Sequence, residues 1–351
     1  MIRFLLTATL TAAIGVSTAN AAEPVLVIHG GAGVIRKDMN PAEENGARAA
    51  LAAALRRGHA ELVAGKPALD AVTAAITVLE DSPYFNAGRG AVFTHEGRNE
   101  LDASVMEGHT RRAGAVAGVQ RVKNPVLLAR AVMEKSPHVM LMGAGAEAFA
   151  RGQGVELVDP GYFRTEKRWN QLQERLREEA GKAAVATPEY LKYIGTVGAV
   201  ALDAQGHLAA GTSTGGMTAK RWNRVGDSPI IGAGTWADDG CAVSGTGWGE
   251  FFIRTAAARS ICGRVEYLKA SAVEAGAAVI NGEVVRLGGD GGAIVMTAKG
   301  DFAFPFNTAG MYRGWVGADG VPHVAIHAEE RLRGDAVAQP NLPGKLDAPP
   351  H

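Results

Sequence analysis

The sequence contains little of what a disulfide scaffold, a metalloenzyme or a membrane protein requires. Its 351 residues include only two cysteines and nine histidines, and no CxxC, HExxH or other convincing metal-ligand spacing occurs. After the N-terminus, no stretch approaches the ~18 uninterrupted apolar residues of a transmembrane helix. Lysine plus arginine equals aspartate plus glutamate, at 36 each, so no basic field marks a partner such as nucleic acid or a membrane surface.

The two cysteines lie in different kinds of segment. Cys241 lies in a strand-like run, and Cys262 ends a helix-like run. Two cysteines in so long a chain do not make a disulfide scaffold, although export would permit a disulfide. We therefore predict two separate, mostly buried thiols.

The first 21 residues have the composition of a secretory signal. Arg3 supplies a positive start, an apolar stretch runs over residues 4–16, and residues 19–21 read A-N-A, which fits an A-x-A cleavage site. We therefore expect a signal peptide over residues 1–21 and a periplasmic or secreted mature protein.

Hydrophobic periodicity predicts helices and strands along the mature chain. Before residue 164 we predict strands at 25–29, 91–94, 101–107 and 113–120, and helices at 41–63, 67–79, 125–135 and 144–151. Hairpin-rich β segments follow residue 196, with helical runs at 250–260 and 270–280. The alternating βαβ order of a parallel sheet is absent, so this arrangement predicts two packed sheets flanked by helices.

Two segments have few residues suited to a core. Residues 164–185 are rich in charge, which predicts an exposed helix or connector that ends about ten residues before Thr196. A flexible connector there would let a newly cut chain end move away, and an ordinary surface helix explains the composition equally well. The tail after about residue 331 has four prolines and many polar residues, so we predict that it is disordered.

The dipeptide Gly195-Thr196 is of the kind at which a self-processing chain is cut. A threonine hydroxyl is a weak nucleophile without an adjacent base, and cleavage just before the residue frees its own amine for that role. Model α-amino groups titrate near ~8, so the amine can accept a proton, which a peptide nitrogen cannot. A threonine after glycine is also a common strand start, so the dipeptide alone does not establish cleavage.

Several long motifs surround this junction in a fixed order. They are IHGGAG, FNAGRGAVF, ELDASVM, GTVGAVALD, TSTGGM, RVGDSPIIGAG, SGTGWGE and PFNTAGMYR, and they cover nearly all of the mature chain. Together they resemble the plant-type asparaginase and isoaspartyl peptidase family of N-terminal-nucleophile hydrolases.

The resemblance implies the fold and the processing of the chain. The fold would be α+β, a four-layer αββα sandwich. Cleavage between Gly195 and Thr196 would give an α subunit (22–195), with an exposed linker over about 164–195, and a β subunit (196–351). Two copies of each would assemble as an (αβ)2 heterotetramer.

The resemblance also implies the catalytic residues. Thr196 would be the nucleophile and, through its freed amine, the base, and Thr214 would orient it. Thr246 and Gly247 would form the oxyanion hole from a side-chain hydroxyl and a backbone N–H.

Arg224 and Asp227 make physical sense as a clamp for a zwitterion. A guanidinium fork matches a carboxylate, and a carboxylate receives an ammonium group. The resemblance assigns them to the α-amino-acid end of L-asparagine or a β-aspartyl dipeptide, with Gly249 lining the same pocket. Two charged residues at this spacing more commonly form a surface ion pair.

The implied activity is that of an exported isoaspartyl peptidase and L-asparaginase, and the sequence does not rank the two substrates.

The stretch LEDSPYFNAGRG resembles the cation loop of the family, in which backbone carbonyls hold sodium. Asn86 in this loop would face the nucleophile. A tight turn without an ion explains the same residues, and the implied chemistry requires no cofactor. The implied sodium ligands are the carbonyl oxygens of Leu79, Glu80, Ser82, Phe85, Ala87 and Arg89.

Two residues depart from the pattern of the family. Trp248 stands where relatives often have a smaller or polar residue, so its ring would narrow the pocket or stack on a second substrate residue. Arg89 stands where many relatives have an apolar residue or lysine, and it would alter the cation loop.

The sequence also contains the motif of a different class of hydrolase. Residues 211–215 fit the G-x-S-x-G motif of serine esterases, with Ser213, Asp290 and His327 in the order of a triad and an HGG turn at His29. The esterase fold requires a helix after this motif, but the segment that follows the glycines has no helical periodicity. The context therefore argues against a serine esterase.

A glycosylasparaginase-like enzyme and an exported binding module without catalytic activity are two further hypotheses.

Overall fold

The computed structural model describes residues 22–34, 36, 39–181 and 195–336. The predicted signal peptide, the segment 182–194 and residues 337–351 lie outside the described residues.

The helices lie in three stretches of the chain. They are α1 (Pro41–Val63), α2 (Ala68–Glu80), α3 (Pro125–Lys135), α4 (Gly143–Gly152), α5 (Glu166–Gly181), α6 (Gly249–Thr255), α7 (Ala257–Leu268) and α8 (Ala272–Gly276), which continues as a π-helical segment, Ala277–Val284. Within the described ranges, none of these helices has both the length and the apolar composition needed to cross a bilayer.

The strands are distributed over the whole described chain. They are β1 (Val25–Ala32), β2 (Leu101–Glu107), β3 (Ala113–Val119), β4 (Met140–Met142), β5 (Val197–Leu202), β6 (Leu208–Thr214), β7 (Thr235–Ala237), β8 (Cys241–Gly247), β9 (Gly291–Thr297), β10 (Phe302–Pro305), β11 (Gly310–Val316), β12 (His323–His327) and β13 (Asp335–Ala336).

These strands form two mixed sheets. The first has the order β12-β11-β1-β5-β6-β2-β3-β4, with β3 and β4 parallel and the other neighbours antiparallel. The second has the order β13-β10-β9-β8-β7, in which β13 and β10 are parallel. Strand β5, which Thr196 precedes, therefore lies in the middle of the larger sheet.

The alternation of side chains along β1 shows how the layers pack. Leu26 and Ile28 join the core between the first sheet and helices α1 to α3, whereas Val25 and Val27 join the core between the two sheets. A third core lies between the second sheet and helices α7 and α8. Helices therefore cover both outer faces of two stacked sheets, which confirms the predicted α+β, four-layer αββα sandwich.

Several predicted elements match the structure, and one does not. Helix α1 has the predicted bounds because Asn40 caps it, accepting from the Glu43 amide, and Pro41 occupies its first position. The predicted strand at 91–94 is wrong. The Asn86 side chain accepts from the amide of Val92, and the Asn99 side chain donates to carbonyls of this segment, so its backbone bonds to side chains instead of to a strand.

The helical run predicted at 250–260 is divided at Ala256, which has a left-handed φ of 45°. The next helix starts anew because the amides of Ala258 and Arg259 bond to carbonyls of residues 233 and 232. Tertiary contacts thus fix a break that the local pattern does not reveal.

The described part of the linker is a helix, which was one of the two predicted alternatives, and the start of the tail is more ordered than we predicted. Helix α5 covers the first part of the predicted exposed linker and buries Arg168 and Leu172. At the other end, β13 pairs with β10, and Asp335 accepts a forked ion pair from the buried Arg313. The predicted disorder after residue 331 is therefore wrong for residues up to Ala336.

The prediction of two free thiols is wrong. Cys241 on β8 and Cys262 on α7 form a disulfide, with their Cα atoms 5.4 Å apart. Helix α7 packs on the outer face of β8, which brings together two cysteines that are 21 residues apart in the sequence.

Replacing both cysteines with alanine should lower the free energy of unfolding by ~3 kcal/mol while the fold is retained, because the bridge no longer restricts the unfolded chain over a loop of about 20 residues. Urea denaturation with and without dithiothreitol measures the change. Reduced wild-type protein is the matched control and should unfold near the same urea concentration as the variant. A variant as stable as the oxidised parent would contradict the prediction.

Candidate active site

Thr196 enters β5 between β1 and β6 and is held through its backbone. It is buried, and its carbonyl lies 2.9 Å from Nδ1 of His29. Because a carbonyl can only accept, Nδ1 carries the hydrogen, and Nε2 then accepts from the Ser244 hydroxyl at 2.9 Å. His29 thus joins Thr196 in the first sheet to Ser244 in the second.

His29 is buried, and burial lowers its pKa to about 3, with the Thr196 carbonyl acting in the opposite direction. The ring is therefore neutral near pH 7 and positions the backbone of Thr196. Sequence reasoning did not assign this role to His29 or a role to Ser244. The IHGGAG motif at the end of β1 was the available signal.

Thr214 connects the hydroxyl of Thr196 to the peptide bond that precedes it. The Thr196 hydroxyl donates to the Thr214 hydroxyl at 3.1 Å, and the Thr214 hydroxyl donates to the Gly195 carbonyl at 3.3 Å. The amide of Gly216 donates to the same Thr214 oxygen at 3.0 Å. The structure therefore brings together Gly195, Thr196 and Thr214, as the resemblance implied.

Gly31 allows β1 to approach this junction closely. A Cβ atom at Gly31 would lie 2.7 Å from the Cα of Gly195 and 3.1 Å from the Thr196 nitrogen. Its φ of +115° is also a conformation that favours glycine. Any side chain here would displace the Gly195–Thr196 peptide.

Asn86 lies beside the junction and fixes the turn after β6. Its side chain donates to the Gly216 carbonyl at 2.7 Å, and its own carbonyl accepts from the Gly215 amide at 3.1 Å. A Cβ atom at Gly195 would lie 3.2 Å from the Asn86 Cβ. Asn86 is thus close to the Gly195–Thr196 peptide, and these hydrogen bonds support the turn next to Thr214.

The guanidinium of Arg224 is already paired. Its Nε and Nη2 donate to the two carboxylate oxygens of Glu250 at 2.9 and 2.8 Å. Burial alone would lower the pKa of Arg224, and the Glu250 carboxylate outweighs it and raises that pKa. The SGTGWGE motif contains Glu250, but sequence reasoning assigned it no role.

Asp227 is buried next to Arg224 without full hydrogen bonding. Burial raises its pKa to about 6, and the charge of Arg224 opposes this shift. Among the described residues, no partner reaches its Oδ2 atom. A Cβ atom at Gly249 would lie 2.9 Å from Asp227 Oδ1 and 2.7 Å from Arg224 Nη2, so glycine is required for this pair to share the site.

Five of the seven predicted catalytic and substrate-binding residues line one pocket, and Thr246 and Gly249 are the two that do not. Thr246 is close to it but buried, and its hydroxyl accepts from the Ala32 amide at 3.2 Å, which leaves a hydroxyl free to donate its own hydrogen. The residues that line the pocket are Thr196, Thr214, Gly216, Met217, Arg224, Gly226, Asp227, Ser228 and Gly247.

Trp248 does not line this pocket, so the first of the two expectations, a narrower pocket, is not met; stacking of its ring on a second substrate residue stays a prediction. Its ring packs edge-on against Phe251, with centroids 4.8 Å apart, and it is not among the lining residues. Arg89 is exposed and lies over the Tyr162 ring at 5.9 Å.

The predicted cation loop folds tightly around its own carbonyl groups. A Cβ atom at Gly88 would lie 2.3 Å from the Glu80 carbonyl oxygen, and one at Gly90 would lie 2.0 Å from that of Phe85. Leu79 and Ala87 use their carbonyls to accept from backbone amides, at 3.3 and 3.1 Å. The glycines thus allow the loop to fold closely onto the carbonyls of Glu80 and Phe85. Carbonyl oxygen is a donor of the kind that a hard cation such as sodium prefers.

The side chain of Glu80 rules out the serine-esterase arrangement. Its Oε1 accepts from the Ser213 hydroxyl at 2.6 Å, and burial raises its pKa to about 8. His327 instead lies near Glu44 and Glu330. Ser213 and His327 therefore have other partners, and they do not form the triad that the motif suggested.

Comparison with known proteins agrees with this geometry. A family model described as asparaginase matches residues 22–326. The isoaspartyl peptidase of Escherichia coli (strain K12) is 49% identical over 318 residues, covering 90% of this chain and 98% of that protein. The plant-type L-asparaginase of Pyrococcus abyssi is 44% identical over 295 residues, covering 82% and 94%. The isoaspartyl peptidase/L-asparaginase of Xenopus laevis is 39% identical over 310 residues, covering 88% and 96%. These matches confirm the resemblance, and the chain belongs to the asparaginase family of N-terminal-nucleophile hydrolases.

Proposed function

We propose that this protein is an exported isoaspartyl peptidase and L-asparaginase that cleaves its own chain and then uses Thr196 as its nucleophile. The observation that carries the proposal is one pocket in which the Thr196 hydroxyl, Thr214, Arg224 and Asp227 meet. Relatives that match most of the chain are named isoaspartyl peptidase or L-asparaginase, which supports the substrate class.

Self-cleavage would begin at the hydrogen-bonded hydroxyl pair. The Thr196 oxygen attacks the Gly195 carbonyl carbon, and its proton passes toward Thr214, whose own hydroxyl is already directed at the Gly195 oxygen. The C–N bond breaks, the Thr196 nitrogen takes up the proton that left the hydroxyl and becomes an amine, and an ester links the Gly195 carbonyl carbon to the Thr196 oxygen. Water then hydrolyses the ester, leaving a carboxylate on Gly195 and a free N-terminal threonine.

Substrate turnover would repeat the attack with the new amine as base. The amine takes the hydroxyl proton while the Thr196 oxygen attacks the side-chain amide carbon of the substrate. The leaving group departs as ammonia from L-asparagine or as an amino acid from a β-aspartyl dipeptide. Water then hydrolyses the β-aspartyl ester and regenerates Thr196.

The remaining pocket residues would bind and stabilise charge. The Thr246 hydroxyl and the Gly247 backbone N–H would receive the oxyanion, a role in which one donor contributes ~2.7–4 kcal/mol to the barrier. Asp227 would receive the substrate ammonium, and Arg224 would bind the α-carboxylate. Because Glu250 occupies Nε and Nη2, the substrate would bind through Nη1 or displace Glu250.

A structural sodium ion, where bound, would be held by the carbonyls of the loop at 79–90. The ion would neutralise the partial negative charges of these oxygens and would take no part in the reaction. It would thereby stabilise the loop that contains Asn86, whose hydrogen bonds fix the turn next to Thr214.

Export and assembly complete the proposal. Residues 1–21 would direct the chain out of the cytoplasm, and the Cys241–Cys262 disulfide is the kind of bond that persists in oxidising compartments. The mature subunits would associate as an (αβ)2 heterotetramer, with a mass in size-exclusion chromatography near twice that of one cleaved chain.

Thr196→Ala should abolish both self-cleavage and turnover, because one hydroxyl starts both reactions. Thr196→Ser should retain part of each, since it keeps the oxygen but loses the methyl group that fixes the rotamer. Intact-mass analysis of aged protein, which should find segments 22–195 and 196–351 in the wild type, measures cleavage. Normal cleavage of Thr196→Ala, or a single uncleaved species that hydrolyses substrate, would contradict the mechanism.

Arg224→Lys should mature normally but lose about one to two powers of ten in kcat/KM for L-asparagine, about 1.4–2.8 kcal/mol. Lysine keeps the charge but cannot serve Glu250 and the substrate carboxylate together. Cleavage should survive because the scissile peptide has no α-carboxylate.

The matched control for Arg224→Lys is Arg112→Lys. Arg112 makes a similar paired contact with Glu107, at the end of β2 away from Thr214. It should leave kcat/KM unchanged. Equal kinetics for Arg224→Lys and the wild type would show that Arg224 is not part of the clamp.

The pH dependence of kcat/KM should steepen below about pH 6. The pKa of Asp227 is raised from 3.8 to about 6 by burial, so above this pH it is ionised and receives the substrate ammonium. Below it the carboxyl is neutral, and this loss adds to protonation of the Thr196 amine, which model groups place near ~8. The Asp227→Asn variant should hydrolyse its substrate slowly, and its pH profile of kcat/KM should lack the steeper decline below about pH 6. The same steep limb in that variant would contradict the assignment.

A further inference from the structure

The loop of residues 215–227, here called the pocket loop, carries both proposed clamp residues in a strained backbone. Ala219, Trp222 and Asn223 have positive φ values of 58°, 54° and 57° although none is glycine. Such conformations persist only where the surroundings fix them. Trp222 is 91% exposed, so its own side chain does not supply the restraint.

Helix α5 supplies the first restraint. Its Leu172 forms a small buried cluster with Phe93 and with Ala219 of the pocket loop, and Trp169 and Leu176 of α5 cover its edge. The amide of Ala219 also donates to the Phe93 carbonyl at 2.8 Å. This cluster is separate from the three cores that hold the layers together.

An ion pair supplies the second restraint. Arg221 of the pocket loop donates to Glu179 at the last turn of α5, at 2.7 Å. Arg175 contacts the same carboxylate at 2.9 Å from the preceding turn of the helix, and His95 lies 3.8 Å from it. The helix therefore contacts the pocket loop on both sides of Lys220.

The restrained part of the pocket loop is connected directly to the clamp. The amide of Arg224 donates to the carbonyl of Arg221 at 3.0 Å, which closes a tight turn with Trp222 and Asn223 at its centre. A shift of Arg221 therefore moves Arg224. Helix α5 is itself fixed to the loop at 79–90, because Arg168 donates to the Gly90 carbonyl at 2.8 Å.

We propose that α5 is a positioning element of the substrate pocket, in which Leu172 and Glu179 hold the pocket loop so that Arg224 meets the substrate α-carboxylate. The proposal rests on the proposed function. It also gives a role to the segment that precedes the proposed cleavage site, because residues 166–181 would stay docked in the mature enzyme.

Kinetics of full-length, matured variants provide the first test. Glu179→Ala should raise KM for L-asparagine ~2- to 5-fold, the size of a partly exposed ion pair, with kcat within twofold of the wild type. Arg221→Ala should have the same effect, and the double variant should be no worse than either single one. The matched control is Glu174→Ala on the same helix, at an exposed position, and it should leave KM unchanged.

The apolar contact is tested with two buried leucines. Leu172→Ala should raise KM by at least as much as Glu179→Ala, whereas Leu62→Ala, in the core beneath α1, should lower stability without a change in KM. An unchanged KM in both Glu179→Ala and Leu172→Ala would overturn the proposal. An equal rise in the Leu62→Ala or Glu174→Ala control would overturn it too, because the effect would then be general.

Limited proteolysis gives a readout that does not depend on activity. Trypsin should cut after Arg221 faster in Leu172→Ala and Glu179→Ala than in the wild type or the two controls, as mass spectrometry of the fragments would show. Equal cutting rates would mean that α5 does not hold the pocket loop, and would overturn the proposal. A wild-type protein that turns over neither substrate would contradict the proposed function instead, and the cutting rates would still test the contact.

Discussion

The hydrogen bond between the His29 ring and the Thr196 carbonyl is the contact on which the geometry of the site depends. The same ring accepts from Ser244, so it joins the two sheets next to Thr196. The layers can approach only because of Gly198, where a Cβ atom would lie 2.0 Å from the Ser244 hydroxyl and 2.4 Å from His29 Nε2. Burial lowers the pKa of His29, so the ring stays neutral and the bridge does not change near neutral pH. Thr196 is therefore placed by the packing of the sandwich as a whole and not by a mobile side chain.

The charges of the pocket are arranged for a ligand that carries both signs. Asp227 is buried with one oxygen unpartnered among the described residues, and a buried carboxylate in that state is costly unless a cation reaches it. Arg224 differs because Glu250 already satisfies two of its donors. A ligand ammonium would thus meet an unpaired acceptor, whereas a ligand carboxylate would meet an occupied donor. Glu250 therefore affects the affinity of the pocket for the ligand carboxylate, an effect that the identities of Arg224 and Asp227 alone do not indicate.

Local signals predicted the parts of the fold that local interactions fix. Asn40 and Pro41 set the start of α1, and the motifs alone placed Thr196, Thr214 and Arg224 in one site. Contacts between distant segments were beyond the sequence. The disulfide depends on the packing of α7 on β8, and the docking of α5 depends on the contact between Leu172 and Ala219. Neither contact could be predicted from the local sequence. The charged composition correctly indicated a mostly exposed helix over the described residues 166–181, but one buried face is enough to give a helix a structural role.

The two reactions proposed for the Thr196 hydroxyl would place different demands on its surroundings, and the contacts that each would use lie on different sides of Thr196. The contacts relevant to the proposed self-cleavage lie on the side of Thr196 that faces β1 and β6. They are the hydrogen bond from Thr214 to the Gly195 carbonyl and the close approach of Gly31 to the same peptide. The charged groups lie on the pocket loop and at the start of α6. A peptide that has no free α-carboxylate can occupy the first set without engaging the second. The second set is held by Glu250 and by α5, and none of these contacts involves the Gly195–Thr196 peptide. The proposed self-cleavage would therefore not require the charged side of the pocket to change its geometry.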